Sequence, residues 1–258
     1  MSLLYINYFS KSLIKNTDMT VLIPNDLEKP FKTLYLLHGD TQNSTSYIRH
    51  SLIEEYANKY KIMVVCPTGD KEYWTNMING LGNYEDHVIE TVNYIDNLFP
   101  TSKNREDRFI QGLSMGGYGA MKIGLKYNEM FSSIVAESGA VDVKEAFRIC
   151  LDDLENNPGD DVTYKNVFGD FENDLRQGDD VYFLVKNCPN LPKIFFHVGN
   201  KDFIRISSEK FHEFLVENNI EHTFKLYEGD HNWEYWNQHL EEGIRFHLGE
   251  KLFKLWDC

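Results

Sequence analysis

Several ingredients are scarce in this chain. Its 258 residues contain only four cysteines, Cys66, Cys150, Cys188 and Cys258, with no C-x-x-C pair and no histidine beside any of them. That scatter argues against a zinc site and against a disulfide framework. The nine histidines show no H-x-H or H-E-x-x-H spacing, so no catalytic metal is expected. Positive charge is short: 26 Lys and Arg stand against 40 Asp and Glu, a formal net charge of −14. Nucleic-acid binding depends on basic contacts to phosphate and is not expected of such a chain. No stretch approaches the ~18 uninterrupted apolar residues of a membrane span. The opening Met1-Ser2-Leu3-Leu4-Tyr5 lacks the basic segment and apolar run of a secretory signal. The expectation is a cytoplasmic protein, without internal repeats or low-complexity tracts.

Apolar residues are plentiful, 42% of the total, enough for one large core and a single domain over residues 1–258. Short apolar runs read as strands at Met19–Ile23, Thr33–Leu37, Ile62–Cys66, Arg108–Leu113, Ser133–Glu137, Lys193–Val198 and Thr223–Glu228. Helical patterns fall between most of them, among them 44–59, 85–99, 116–125 and 207–218. In the second of these, Val88, Val92, Ile95 and Phe99 recur along one side, and Pro100 ends the helix. Such alternation predicts an α/β fold, a mainly parallel central sheet with helices on both faces.

Within that pattern Gly112-Leu113-Ser114-Met115-Gly116 joins a strand to a Gly-rich helix. A serine at such a bend, with glycine two before and two after it, has the form of a nucleophile elbow, whose strained turn leaves no room for a larger Cβ. The bend presents the hydroxyl at the strand's carboxyl end. It also puts the Met115 amide at the helix start, where negative charge would develop on an attacked carbonyl. Acyl transfer through a covalent serine ester is the chemistry this predicts.

An elbow serine needs a histidine base and a carboxylate to orient it, and in this fold class they follow in the order Ser, Asp or Glu, His. Asp202 comes just after the strand Lys193–Val198, and His231 just after Thr223–Glu228. Loops at the carboxyl ends of parallel strands gather on one edge, so Ser114, Asp202 and His231 are the expected triad. A second oxyanion donor is expected from the turn Leu37-His38-Gly39-Asp40, at the Asp40 amide, with the Asp40 carboxylate turned away toward Thr41-Gln42-Asn43. Competing residues are weaker. Asp230 adjoins His231, but neighbouring loop side chains diverge; His197 lies inside an apolar run; His38 reads as a buttress of its turn.

The elbow Gly112-Leu113-Ser114-Met115-Gly116-Gly117-Tyr118-Gly119-Ala120, the Leu36-Leu37-His38-Gly39 turn and Gly229-Asp230-His231-Asn232-Trp233-Glu234-Tyr235-Trp236 together resemble the esterase D family. The paired Trp233 and Trp236 lean toward its bacterial tributyrin-esterase branch. The resemblance runs over nearly the whole chain. It implies an α/β-hydrolase fold and serine carboxylesterase activity on small-molecule esters of short acyl chains, with no cofactor. It also implies a nucleophile, acid and base on Ser114, Asp202 and His231 and oxyanion amides on Met115 and Asp40. The acidic residue at Asp40 departs from the uncharged one that the family pattern leads one to expect. Related branches, the S-formylglutathione hydrolases, the feruloyl and acetylxylan esterases and the mycolyltransferases, leave those substrates and acyl transfer open as alternatives. A non-catalytic binding module is least favoured, because all three triad positions are filled. A homo-oligomer is neither required nor excluded.

Between Val141 and Pro192 the chain is far longer than one crossover helix requires, and a cap-like insertion over the site is expected there. The interval holds 12 acidic and 5 basic residues, a net of −7 and half of the chain's −14. Such a surface would repel anionic ligands at low salt and favour neutral or cationic esters. Tyr73, Trp74, Trp233 and Trp236 fall near predicted loops, with packing the expected role of the last two.

Overall fold

Runs such as Leu34-Tyr35-Leu36-Leu37 are apolar at successive positions, and a strand can bury both of its faces only when the sheet is covered on both sides. The computed structural model describes residues 1–26, 28–152, 160–170 and 175–250. Its strands are β1 (Ser2–Ser10), β2 (Lys15–Ile23), β3 (Thr33–Leu37), β4 (Met63–Pro67), β5 (Arg108–Leu113), β6 (Ser133–Glu137), β7 (Lys193–Gly199) and β8 (Thr223–Tyr227). The helices among the described residues are α1 (Ser46–His50), α2 (Ile53–Tyr60), α3 (Tyr84–Leu98), α4 (Met115–Lys126), α5 (Val143–Asp152), α6 (Asp160–Phe168), α7 (Val181–Lys186), α8 (Arg205–Glu217) and α9 (Trp233–His247).

The strands form one eight-stranded sheet in the order β1-β2-β4-β3-β5-β6-β7-β8. β2 runs antiparallel to both β1 and β4, and every other pair is parallel. This is the α/β-hydrolase architecture. Every residue of β3, β4, β5 and β6 is buried. Tyr35 and Leu37 pack on the side of α3, α4 and α8, while Leu34 and Leu36 pack on the side of α1, α2 and α9. No helix among the described residues is long and apolar enough to cross a membrane.

Two elements differ from the sequence reading. β1 was not anticipated. It pairs with β2 from Ser2↔Ile23 to Ser10↔Lys15. Its inward Tyr8 is buried, yet Tyr5 and Phe9 on its other face are 69% and 57% exposed. Aromatics on both faces of an edge strand erase the alternation that marks a half-buried strand, and the hairpin turn lacks a glycine, using Ile14 at φ 54° instead. The helix expected over 44–59 is two helices, α1 and α2. Ser51 takes an extended conformation between them, and its hydroxyl bonds back to the Tyr47 carbonyl while accepting the Ile53 amide. This side chain competes with the helical ladder.

Between β6 and β7 lie α5, α6 and α7, and residues 153–159 and 171–174 of the expected cap interval are outside the described residues. The stretch before α7 is fastened to α4 and its neighbours. Tyr118 Oη donates to the Asp179 carbonyl at 2.8 Å. The fully buried Lys122 ammonium meets Thr75 Oγ1 at 2.7 Å, Glu85 Oε2 at 3.1 Å and Asp179 Oδ1 at 3.3 Å. Among the described residues Cys66, Cys150 and Cys188 form no disulfide; Cys258 lies outside them.

Candidate active site

Ser114 stands between β5 and α4 with φ 53° and ψ −122°, a left-handed conformation that few side chains adopt without surrounding structure to enforce it. The enforcement is steric. A Cβ on Gly112 would lie 2.2 Å from the Gly116 carbonyl oxygen, and one on Gly116 would lie 2.0 Å from that of Leu37. The start of α4 therefore packs backbone to backbone against the ends of β5 and β3. The Ser114 amide donates to the Glu137 carbonyl at 2.9 Å, tying the bend to β6.

Asp202 and His231 arrive from the loops after β7 and β8. These two loops are joined to each other: Lys201 N donates to Gly229 O at 2.9 Å, and Gly229 N donates to Asn200 Oδ1 at 3.2 Å. Gly199 and Gly229 allow the approach, since a Cβ on Gly199 would lie 2.4 Å from the Gly229 carbonyl oxygen. His231 Nε2 lies 2.9 Å from Ser114 Oγ, and its Nδ1 lies 3.0 and 2.9 Å from the two Asp202 oxygens. With Nδ1–H shared between the carboxylate oxygens, Nε2 carries the lone pair and accepts from the serine hydroxyl. Asp202 also serves its own turn, accepting the Ile204 amide at 3.0 Å. Asn232 caps α9 by accepting the Tyr235 amide at 3.0 Å.

The rival residues are occupied elsewhere. Asp230 Oδ1 accepts the backbone amide of His231 at 2.8 Å. His38 is buried and bonds the Gly39 carbonyl through Nδ1 at 2.7 Å while Nε2 accepts the Gly69 amide at 2.9 Å. Burial pulls its pKa down to about 4, so the ring is neutral. His197, fully buried in β7, is held well below the usual imidazole range by the same desolvation.

Trp74 Nε1 donates to the His38 carbonyl at 3.1 Å, and Gln42 Oε1 accepts the Gly39 amide at 3.1 Å. Together with His38 these bonds fix the turn that ends at Asp40. Gly39 lies directly against the bend at Ser114, where an added Cβ would be 3.2 Å from Ser114 Cβ. The Asp40 carboxylate accepts the Thr41 amide at 2.6 Å and faces Lys71 Nζ at 3.4 Å. Met115 N opens α4, so it belongs to the amides that have no intrahelical acceptor.

One aromatic neighbour of His231, Phe203, is not singled out by the sequence reading. Its ring lies 4.5 Å from that of His231, half-exposed at the rim, while the Trp236 ring, expected to pack, lies edge-on 5.0 Å from the imidazole. Phe203 directly follows Asp202, a proximity that could have flagged it. Trp233 packs against Tyr47, His50 and Trp236. Among the described residues no group of three or more His, Cys, Asp or Glu is placed to hold a metal ion.

Comparison with known proteins supplies the family. The model of the Esterase family matches residues 10–247. The chain belongs to that family. It is 32% identical to an acetyl esterase of Caldicellulosiruptor saccharolyticus, covering 95% of this chain and 98% of the relative. Among solved structures, Staphylococcus aureus FphF, a fluorophosphonate-binding serine hydrolase, matches with a TM-score of 0.86 at 31% identity, over 96% of this chain and 98% of that one. An S-formylglutathione hydrolase of the same organism, FrmB, matches with a TM-score of 0.84 at 30% identity, over 96% and 100%. This member of the Esterase family is a serine-type carboxylic ester hydrolase acting on a small-molecule substrate, in line with the esterase D resemblance read from its motifs.

Proposed function

We propose that this esterase cleaves short-chain acyl esters through an acyl-enzyme on Ser114, with His231 as the base and Asp202 as the carboxylate that orients it. The observation that carries the reading is one imidazole bridging Ser114 Oγ at 2.9 Å and the Asp202 carboxylate at 2.9 and 3.0 Å. As Oγ attacks the ester carbonyl, its proton passes to His231 Nε2, and Asp202 stabilises the imidazolium. Charge gathering on the carbonyl oxygen is met by the amides of Met115 and Asp40. His231 then gives its proton to the departing alcohol. Water repeats the sequence at the acyl-enzyme and releases the acid.

An acetyl esterase relative at 32% identity over nearly the full length supports a small acyl group. We further propose that the interval 141–192 caps this site within a single domain, and that its net charge of −7 disfavours anionic esters. A second reading, S-formylglutathione hydrolysis, draws on the likeness to the staphylococcal enzyme of that activity; the anionic glutathione moiety would have to approach against the acidic interval. Ser114→Ala is expected to lower kcat by about 10⁴ to 10⁶, and turnover within tenfold of wild type would overturn the assignment. Nitrophenyl esters of graded chain length, with S-formylglutathione and feruloyl esters beside them, separate the substrate readings. Product analysis with a competing alcohol separates hydrolysis from acyl transfer.

A further inference from the structure

Behind the three converging side chains, between the sheet and α9, lies a second group of polar residues that the proposed reaction does not use. Glu137, the last residue of β6, and His197 of β7 are register partners in the sheet. Both side chains are fully buried, with His197 Nε2 3.9 Å from Glu137 Oε2. His197 Nδ1 is hydrogen-bonded to the Tyr235 hydroxyl at 2.8 Å. Gln111 Nε2 donates to the other Glu137 oxygen at 2.6 Å.

Each member touches a different part of the site through its backbone or ring. The Glu137 carbonyl accepts the Ser114 amide at 2.9 Å. His197 lies two residues before Gly199, where the strand bearing Asp202 crosses the His231 loop. Tyr235 stands in the first turn of α9, four residues after His231, and its ring fills the space beside Gly229, where an added Cβ would lie 2.4 Å from Tyr235 Cδ2. The buried tyrosine thus supports the base loop from below, and its hydroxyl is anchored to the acid's strand.

We propose that Tyr235, held by His197 with Glu137 behind it, is a positioning residue that keeps His231 in line between Ser114 and Asp202. The proposal rests on the reading of those three residues as the triad. Tolerances in such a bridge are tight: a displacement of about 1 Å can cost on the order of a hundredfold in rate. The His231 loop meets the end of β7 through Gly229 and Gly199, backbone against backbone, and the Tyr235 ring and hydroxyl add the side-chain support that those glycines do not. The Tyr227 and His239 rings flank His197 at 5.8 and 5.3 Å, as ring contacts and not as its hydrogen-bond partners.

The test is a pair of variants measured with nitrophenyl acetate, well below each variant's melting temperature. Tyr235→Phe keeps the ring beneath Gly229 and removes only the hydroxyl. It is expected to lower kcat about tenfold with KM within about twofold. The low-field proton resonance of the His231–Asp202 bond should broaden or vanish. His197→Leu should do the same, and the double variant should be no worse than the worse single one, since both remove one bond. His197→Asn, which retains a polar atom near the Nδ1 position, should keep kcat within about threefold.

A Tyr235→Phe enzyme with kcat unchanged, a resonance unmoved while kcat falls, or additive losses in the double variant would each overturn the proposal. If Tyr235→Phe fails to fold, the His197→Leu and His197→Asn pair decides alone, equal losses in both being the overturning result. Ser114→Ala separates this from the underlying reading. Retained turnover there removes the triad itself, whereas an inactive Ser114→Ala beside a fully active Tyr235→Phe removes only the positioning role.

Discussion

The Ser114 side of the candidate site and the His231 side are held by different means. Around Ser114 the backbone is fixed by exclusion: Gly112 and Gly116 let main chain touch main chain, and an added Cβ there would lie 2.2 and 2.0 Å from backbone oxygens. Around His231 the chain is fixed by bonds and rings: Asn200 and Lys201 stitch two loops together, Asn232 caps α9, and Trp236 and Tyr235 lie underneath. Steric walls tolerate no substitution, whereas a set of hydrogen bonds can lose one member and weaken in proportion. The two halves should therefore fail differently.

The sharpest break is Gly116→Ala. Its Cβ would meet the Leu37 and His38 carbonyl oxygens at 2.0 and 2.6 Å, backbone atoms that cannot move without displacing β3. A destabilisation of about 4 kcal/mol or more is expected, seen as a collapse of the urea midpoint and of esterase turnover together. Next comes Lys122→Met in α4, which strands the buried Glu85 and Asp179 carboxylates. Lys126 and Arg176 remain beside them, so the loss should be about 3 kcal/mol, at the lower end for a broken buried pair, again by urea denaturation.

On the His231 side, Asn200→Ala removes one hydrogen bond to that loop. About 1 kcal/mol of stability should be lost, and kcat should fall several-fold while KM stays put; a loss as large as that of Gly116→Ala would erase the contrast.

Titration sharpens it further. Burial holds His38 and His87 down to about 4 and His247 to about 3. The unfolded chain binds these protons near the ordinary imidazole value and the native chain does not, so their contribution is present above that value and is lost as pH falls toward 4. Glu137 has the opposite sign. Burial raises its pKa to about 8, so its contribution is present below the ordinary carboxylate range and is lost as pH rises through 8. Acid thus strains the turn beside Ser114, and alkali strains the support beneath the His231 loop. Urea midpoints across pH should fall on both sides, and Glu137→Gln should flatten the alkaline side alone.

The central strands could be read from the sequence because each is a short, largely apolar run, too short to be a helix. Ser114 stood out because its glycines are a local sterical necessity, and Asp202 and His231 because each directly follows such a strand. What could not be read depends on register or on individual turns. Nothing in the local pattern says that Glu137 and His197 lie side by side, because they are 60 residues apart and meet only through the pairing of β6 with β7. β1 hid behind outward-facing Tyr5 and Phe9, and the break at Ser51 depends on a side chain choosing the backbone over solvent.

Cys66 lies in β4, at the middle of the sheet, 2% exposed and with its thiol pushed up to about 12 by burial. Alkylating reagents attack thiolates, not thiols, so this sulfur is chemically silent until the strands around it separate. Its slow modification by iodoacetamide would serve as a built-in clock for opening of the molecule's centre, running without any label and independently of whether the ester-cleaving groups still work.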